Sequence, residues 1–167
     1  DMGYRKYNDE SLGRVSVRLK HHSRRTDGLK FGINLSGGKT YKTDFVLWED
    51  ALTGGLKQDT STVSRFHGYY FSADPFVSFG KRGKVRHDFR MRLQTSENRF
   101  PVRSANNAGS VSLYGEYQFW YSFSDHFSVT TGFSETWSII TSDFFGDHRG
   151  LNLAGFAQAE LRPVNRL

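Results

Sequence analysis

The stretch Lys84–Gln94 (KVRHDFRMRLQ) alternates between two kinds of side chain along its whole length. Its odd positions are mostly apolar and its even positions mostly charged: Val85, His87, Phe89, Met91 and Leu93 against Arg86, Asp88, Arg90, Arg92 and Gln94. Successive side chains of an extended strand point to opposite faces, so this segment would have one apolar face and one charged face. A helix would scatter the arginines around its axis, and the pattern therefore predicts a β-strand.

The same alternation recurs in six further segments, which predicts about seven strands at 12–22, 29–39, 65–79, 84–94, 110–123, 127–139 and 151–162. Short turns are predicted near 23–28, 80–84, 124–126 and 163–166, and longer loops near 40–64, 95–109 and 141–150. Short turns at one end and longer loops at the other are typical of bacterial outer-membrane barrels. Pro75 cannot donate a ladder hydrogen bond, so we expect a bulge or weakened pairing there.

Strand length and composition both favour a membrane barrel. The predicted strands reach or exceed the roughly 9–11 residues that cross a bilayer at a tilt, whereas strands of soluble proteins average about five to six. Only 37% of the chain is apolar, yet 16% is aromatic, a mixture expected when half of each strand faces lipid and half faces water. The prediction is an all-β, antiparallel transmembrane β-meander.

Seven strands in a row leave two open edges, and an open edge cannot exist in lipid. We therefore expect residues 1–167 to be a single, partial barrel domain that belongs to a larger barrel. No run of about 18 apolar residues predicts a membrane helix. The polar segment Asp1–Glu10 has no character of a signal peptide.

The charged positions of the alternating strands predict a polar wall facing an aqueous lumen. The candidate lumen-facing residues are Arg14, Arg18, Arg86, Asp88, Arg90, Arg92, Glu116, Gln118, Glu160 and Arg162. They would line water and bridge one another or a plug, or they would attract anionic solutes, since the net charge is +6. Nucleic acid is disfavoured as a partner because the basic and aromatic residues occupy opposite faces.

Aromatic side chains concentrate where a membrane interface would lie. The candidate interface residues, near the turn-side ends of strands three and five, are Phe79, Tyr117, Phe119, Tyr121 and Phe123. Outer-membrane lipid is the partner expected for them.

The sequence predicts neither a metal site nor a cofactor. There are no cysteines, and the six histidines are scattered rather than paired at ligand spacing. Ser, His and Asp are present without a recognisable nucleophile or base constellation, so we expect no enzymatic activity.

Several segments together resemble the barrel of TonB-dependent outer-membrane receptors, particularly those of Bacteroidetes. They are Gly3–Tyr7, Gly13–Val17, Phe45–Trp48, Asp74–Val77, Arg86–Arg92, Gly146–His148, Asn152–Gln158 and the closing Arg162–Leu167. The resemblance implies a 22-stranded barrel around an N-terminal plug, driven by the TonB system through that plug. The plug lies outside this sequence, and no ligand-binding residue of the family carries over.

The expected function is therefore import of a scarce nutrient across the bacterial outer membrane, for example a ferric chelate, haem, cobalamin or a glycan. Two alternatives stay open. One is a small porin or barrel enzyme of the protease or phospholipase kind, and the other is a soluble, lipocalin-like ligand binder whose aromatic face points inward.

Overall fold

The computed structural model describes residues 9–23, 28–45, 63–80, 83–101 and 106–162. These residues form one sheet of seven antiparallel strands, in which chain order and spatial order are the same. The strands are β1 (Asp9–His22), β2 (Lys30–Phe45), β3 (Val63–Phe79), β4 (Val85–Arg99), β5 (Ala108–Ser124), β6 (Phe127–Ser142) and β7 (His148–Leu161). The predicted all-β meander of seven strands is confirmed.

The strands are longer than the sequence predicted, and the connections are correspondingly shorter. β2 continues past Lys39 to Phe45, β4 past Gln94 to Arg99, and β6 past Ile139 to Ser142. The predicted loop 141–150 is thus wrong in extent, since only 143–147 separate β6 from β7. Pairing is made by backbone groups, so the ladder continues where the apolar alternation has already ended. The predicted turn 163–166 and the loop segment 46–62 lie outside the described residues.

The sheet has two chemically distinct faces, because the register places residues of one kind side by side. One row joins Phe31, Val77, Phe89, Tyr117 and Phe133 across five strands. We call the face of this row the apolar face and the opposite one the polar face. The turn-side end is where β1–β2, β3–β4 and β5–β6 are joined, and the loop-side end is the other.

Neither face covers a core. No hydrophobic side chain of the described residues is buried, and large apolar side chains such as Leu12, Val15 and Leu153 are about 70% exposed, at 68%, 71% and 71%. The apolar face of a sheet usually packs against another layer. In the described part of the chain, no second layer covers the apolar face of this sheet.

Three glycines on the polar face are each covered by the aromatic ring of the residue paired with them. Phe76 lies over Gly32, Tyr70 over Gly38, and Phe156 over Gly132. A Cβ atom at these positions would lie 2.9, 2.8 and 2.6 Å from the respective ring. The rings therefore occupy the space that a side chain would fill, a known way of stabilising glycine in sheets.

Pro75 weakens strand pairing and produces no bulge. Weakened pairing is one of the two outcomes predicted for this position. The β3–β4 ladder runs from Ala73 opposite Leu93 to Phe76 opposite Arg90, with no pairing between these positions and no change of register. Proline has no N–H to donate, which accounts for the gap. The irregularity of register found in the sheet lies at Ser122/Ser124.

The Gly132–Phe156 pair yields a prediction for stability. In Gly132→Ala the new Cβ would overlap the carbonyl oxygen of Tyr117 and lie 2.6 Å from the Phe156 ring. We expect a loss of about 1–3 kcal/mol in the free energy of unfolding, as for other overpacked sites, measured by urea unfolding with tryptophan fluorescence. Gly115→Ala on β5 is the control, because its Cβ would meet no heavy atom within 4 Å. Equal destabilisation by both variants would contradict the pairing argument.

Candidate functional site

Charged side chains of β3, β4 and β5 lie close together at the centre of the polar face, and we call Asp74, Arg90, Arg92 and Glu116 the central group. The carboxylates lie low and the arginines lie over them: the side chains of Asp88 and Glu116 are 13% and 17% exposed, against 56% and 62% for Arg86 and Arg90. This layering shields the carboxylates and leaves a positive surface toward the solvent side.

Asp74 and Arg92 join β3 to β4 at the gap that Pro75 leaves in the ladder. Arg92 Nε donates to Asp74 Oδ1 at 2.7 Å and Arg92 Nη2 donates to Asp74 Oδ2 at 3.3 Å. A bidentate arginine–carboxylate pair of this kind is directional as well as charged. Here it connects the two strands where their backbones do not pair.

Glu116 on β5 is the centre of a second set of contacts. It accepts a hydrogen bond from the Tyr114 hydroxyl at 2.5 Å and another from Gln118 Nε2 at 2.9 Å. Arg90 Nη1 lies 4.0 Å from Glu116 Oε1, at the outer limit of an ion pair. These contacts hold the carboxylate in place from both neighbouring positions of its own strand and from β4.

The predicted lumen-facing residues outside the central group also lie on the polar face. Arg18 Nε donates to Asn34 Oδ1 at 2.6 Å, and Arg86 Nε donates to Asp88 Oδ2 at 2.7 Å. The Arg86 guanidinium also lies 5.8 Å from the Trp120 ring centroid. At the edge of the sheet Arg162 Nε donates to Glu160 Oε1 at 3.0 Å, and at the opposite edge Arg14 is paired in register with Gly38.

A shallow depression of about 560 Å³ lies over the central group. Its lining includes Asn34, Asp74, Arg92, Tyr114 and Glu116. These groups offer guanidinium, amide and hydroxyl donors beside carboxylate acceptors, which suits a hydroxyl-rich or anionic solute, or a polar protein surface. Within the described part of the chain, no group of three or more His, Asp or Glu side chains is placed to hold a metal ion.

Three members of this site were not among the predicted residues: Asn34, Asp74 and Tyr114. The alternating pattern places all three at polar strand positions, but the contacts that they make depend on the register between strands. Register depends on turn geometry and strand pairing. The sequence alone therefore does not show which arginine each of these residues opposes.

The predicted interface aromatics lie on the apolar face toward the turn-side end, where they form a chain of ring contacts. Ring centroids are 4.9 Å apart for Phe79 and His87, 5.1 Å for His87 and Phe119, and 4.7 Å for Tyr121 and Phe123. Tyr117 joins the chain through its hydroxyl, 2.8 Å from His87 Nδ1. Their contact with a membrane interface remains a prediction.

Comparison with known proteins gives no relative: no family model, no curated protein and no solved structure matches the chain. The described residues include no helix that is long and apolar enough to cross a membrane.

The Asp74–Arg92 pair yields a prediction for interstrand coupling. A double-mutant cycle with Asp74→Asn and Arg92→Gln should give a coupling energy of about 0.5–1 kcal/mol, the upper part of the range for exposed pairs. Screening should reduce this coupling at high salt. The Glu160–Arg162 pair lies at the end of β7, two residues apart in the chain, with side chains 50% and 70% exposed. It is the control and should couple negligibly. Comparable coupling energies for both pairs would refute the bridging role of Asp74–Arg92.

Proposed function

We propose that this sheet is a section of the wall of an outer-membrane β-barrel, with its apolar face against lipid and its polar face toward an aqueous lumen. The observation that carries the proposal is a sheet with no buried hydrophobic side chain among the described residues, one exposed apolar face and one ion-paired face. The strands, of 14 to 17 residues, are long enough to cross a bilayer at the usual tilt.

Crowding on the two faces supports the orientation. Glycines of the polar face, such as Gly32 and Gly132, are closely approached by rings and backbone, whereas Gly13 and Gly115 on the apolar face have open space around them. Side chains converge on the inner side of a curved sheet and spread apart on the outer side. A lipocalin-like protein would need the reverse arrangement, with the apolar face inside.

The proposal requires further strands. Among the described residues β1 and β7 each pair on one side only, and unpaired backbone groups in lipid cost several kcal/mol each. Both edges must therefore pair with other strands for the wall to close.

Within this class we propose a TonB-dependent receptor that imports a scarce nutrient, such as a ferric chelate, haem, cobalamin or a glycan. The resemblance of the strand sequences and the ion-paired polar wall support this narrower proposal. In such a barrel the central group around Arg92 and Glu116 would contact a plug and guide solute past it.

The first test is extraction of the protein from outer membranes in detergent, followed by gel electrophoresis with and without boiling. A heat-modifiable species several times larger than 19.1 kDa is the expected result for a receptor barrel. A heat-modifiable species near 19.1 kDa would instead show a small barrel and remove the TonB proposal. Recovery as a soluble protein without detergent would remove the membrane proposal itself.

A pair of adjacent substitutions on β5 tests which face meets lipid. Leu113, 37% exposed on the apolar face, is paired with Leu93 and Trp137, while Ser112 points to the polar face. An arginine on a lipid-facing position costs about 2–4 kcal/mol near the bilayer midplane. Leu113→Arg should therefore strongly reduce the heat-modifiable, folded form in the outer membrane, whereas Ser112→Arg should leave it nearly unchanged. The opposite ranking would reverse the proposed faces.

A further inference from the structure

The apolar face carries lysine and arginine only toward its loop-side end, as far as the chain is described. These residues are Lys39, Arg65, Arg99 and Arg149, and all are exposed. By register the remainder of this face is apolar or uncharged apart from Asp9, Glu97, Glu135 and histidines. In the described residues, the lysine and arginine side chains of this face are thus confined to its loop-side half.

Lys39, Arg65 and Arg99 come together on three adjacent strands, and we call them the basic margin. Lys39 is opposite Tyr69 on β3, while Arg99 on β4 is opposite His67. With about 4.8 Å between strands and about 6.8 Å for every two residues, Arg65 and Arg99 have Cα atoms about 8 Å apart. On the same spacings Lys39 lies about 12 Å from Arg99 and about 14 Å from Arg65. Long cationic side chains at these separations can contact neighbouring phosphate groups of one headgroup.

The basic margin retains free positive charge. Arg99 Nε pairs with Glu97 Oε1 at 2.7 Å, whereas Lys39 and Arg65 make no ion pair with any residue in the described ranges. Tyr41 lies between them, with its ring centroid 4.9 Å from that of His67. The surface is therefore net positive and holds aromatic and hydroxyl groups of the kind found at membrane interfaces.

Exposed apolar side chains begin directly below the basic margin. Phe71 and Leu93 are 43% and 41% exposed, and Phe71 is the next residue on the apolar face of β3 after Tyr69. A ligand that fits both parts has an anionic head and apolar chains.

We propose that the basic margin binds the phosphorylated headgroup of an outer-leaflet glycolipid whose acyl chains lie along Phe71 and Leu93. This inference rests on the proposed membrane barrel. Cations at the headgroup level of an otherwise apolar surface attract anionic lipid. A symmetric second copy fits less well, because a two-fold contact through this surface would place like charges together.

The test is native mass spectrometry of the detergent-extracted, heat-modifiable protein titrated with purified bis-phosphorylated lipid A. Each cation near an anionic surface contributes a little less than a tenfold step in affinity. The variant Lys39→Gln/Arg65→Gln/Arg99→Gln, which loses three cations, should therefore bind this lipid about a hundredfold more weakly. The matched control is Lys20→Gln/Lys30→Gln/Lys84→Gln, which removes the same charge at the turn-side end and should bind like the wild type.

Lipid A with both phosphates removed separates headgroup recognition from acyl-chain binding without any substitution. Wild-type protein should bind it far more weakly than the phosphorylated form. Each of three results would overturn the proposal. They are equal binding of the two lipids, an unchanged lipid affinity in the triple variant, and loss of a dimer rather than of a lipid adduct in that variant. Heat modifiability is measured separately. A protein that is heat-modifiable but binds both lipids equally would contradict this inference and leave the proposed barrel unaffected.

Discussion

The constraint on which the structure depends is that backbone N–H and C=O groups must be paired when side chains provide no core. Among the described residues no hydrophobic side chain is buried, so the six ladders between consecutive strands are the continuous stabilising structure. Other features modify these ladders locally. Where Pro75 interrupts one, Asp74 and Arg92 connect the same two strands through their side chains.

Cross-strand pairs take the place of a packed interior. Rings that cover Gly38 and Gly132 bring side-chain volume over positions that have none, and the arginines over Asp88 and Glu116 shield carboxylates that a flat surface would expose. Contacts of this kind each contribute a few tenths to about 1 kcal/mol. A sheet held in this manner tolerates changes outside the pairs and responds to changes within them.

Alternation alone was enough to predict the strands and the two faces, because the period of two is a property of the extended backbone. It failed at strand ends, as in β2, where pairing continues through the polar segment after Lys39. It could not supply register, and so it missed the roles of Asp74 and Tyr114. Glu135 is a different case: it lies exposed between Phe133 and Trp137 on the apolar face, and nothing in the structure explains a carboxylate there.

The two ends of the apolar face carry different side chains. This difference is a better guide to the orientation of the sheet than the lengths of the loops. The predicted contrast of short turns and long loops is weaker in the structure, since only 143–147 separate β6 from β7 at the loop-side end. Side-chain chemistry separates the ends more clearly: aromatic rings such as Phe79 and Phe119 lie toward the turn-side end, and Arg65 and Arg99 lie at the loop-side ends of β3 and β4. Loop length and loop sequence change readily in a barrel, because loops lie in water. In the proposed membrane barrel, a cation beside the apolar band would meet the headgroups of one leaflet. Its position would then give the sheet a direction across the membrane.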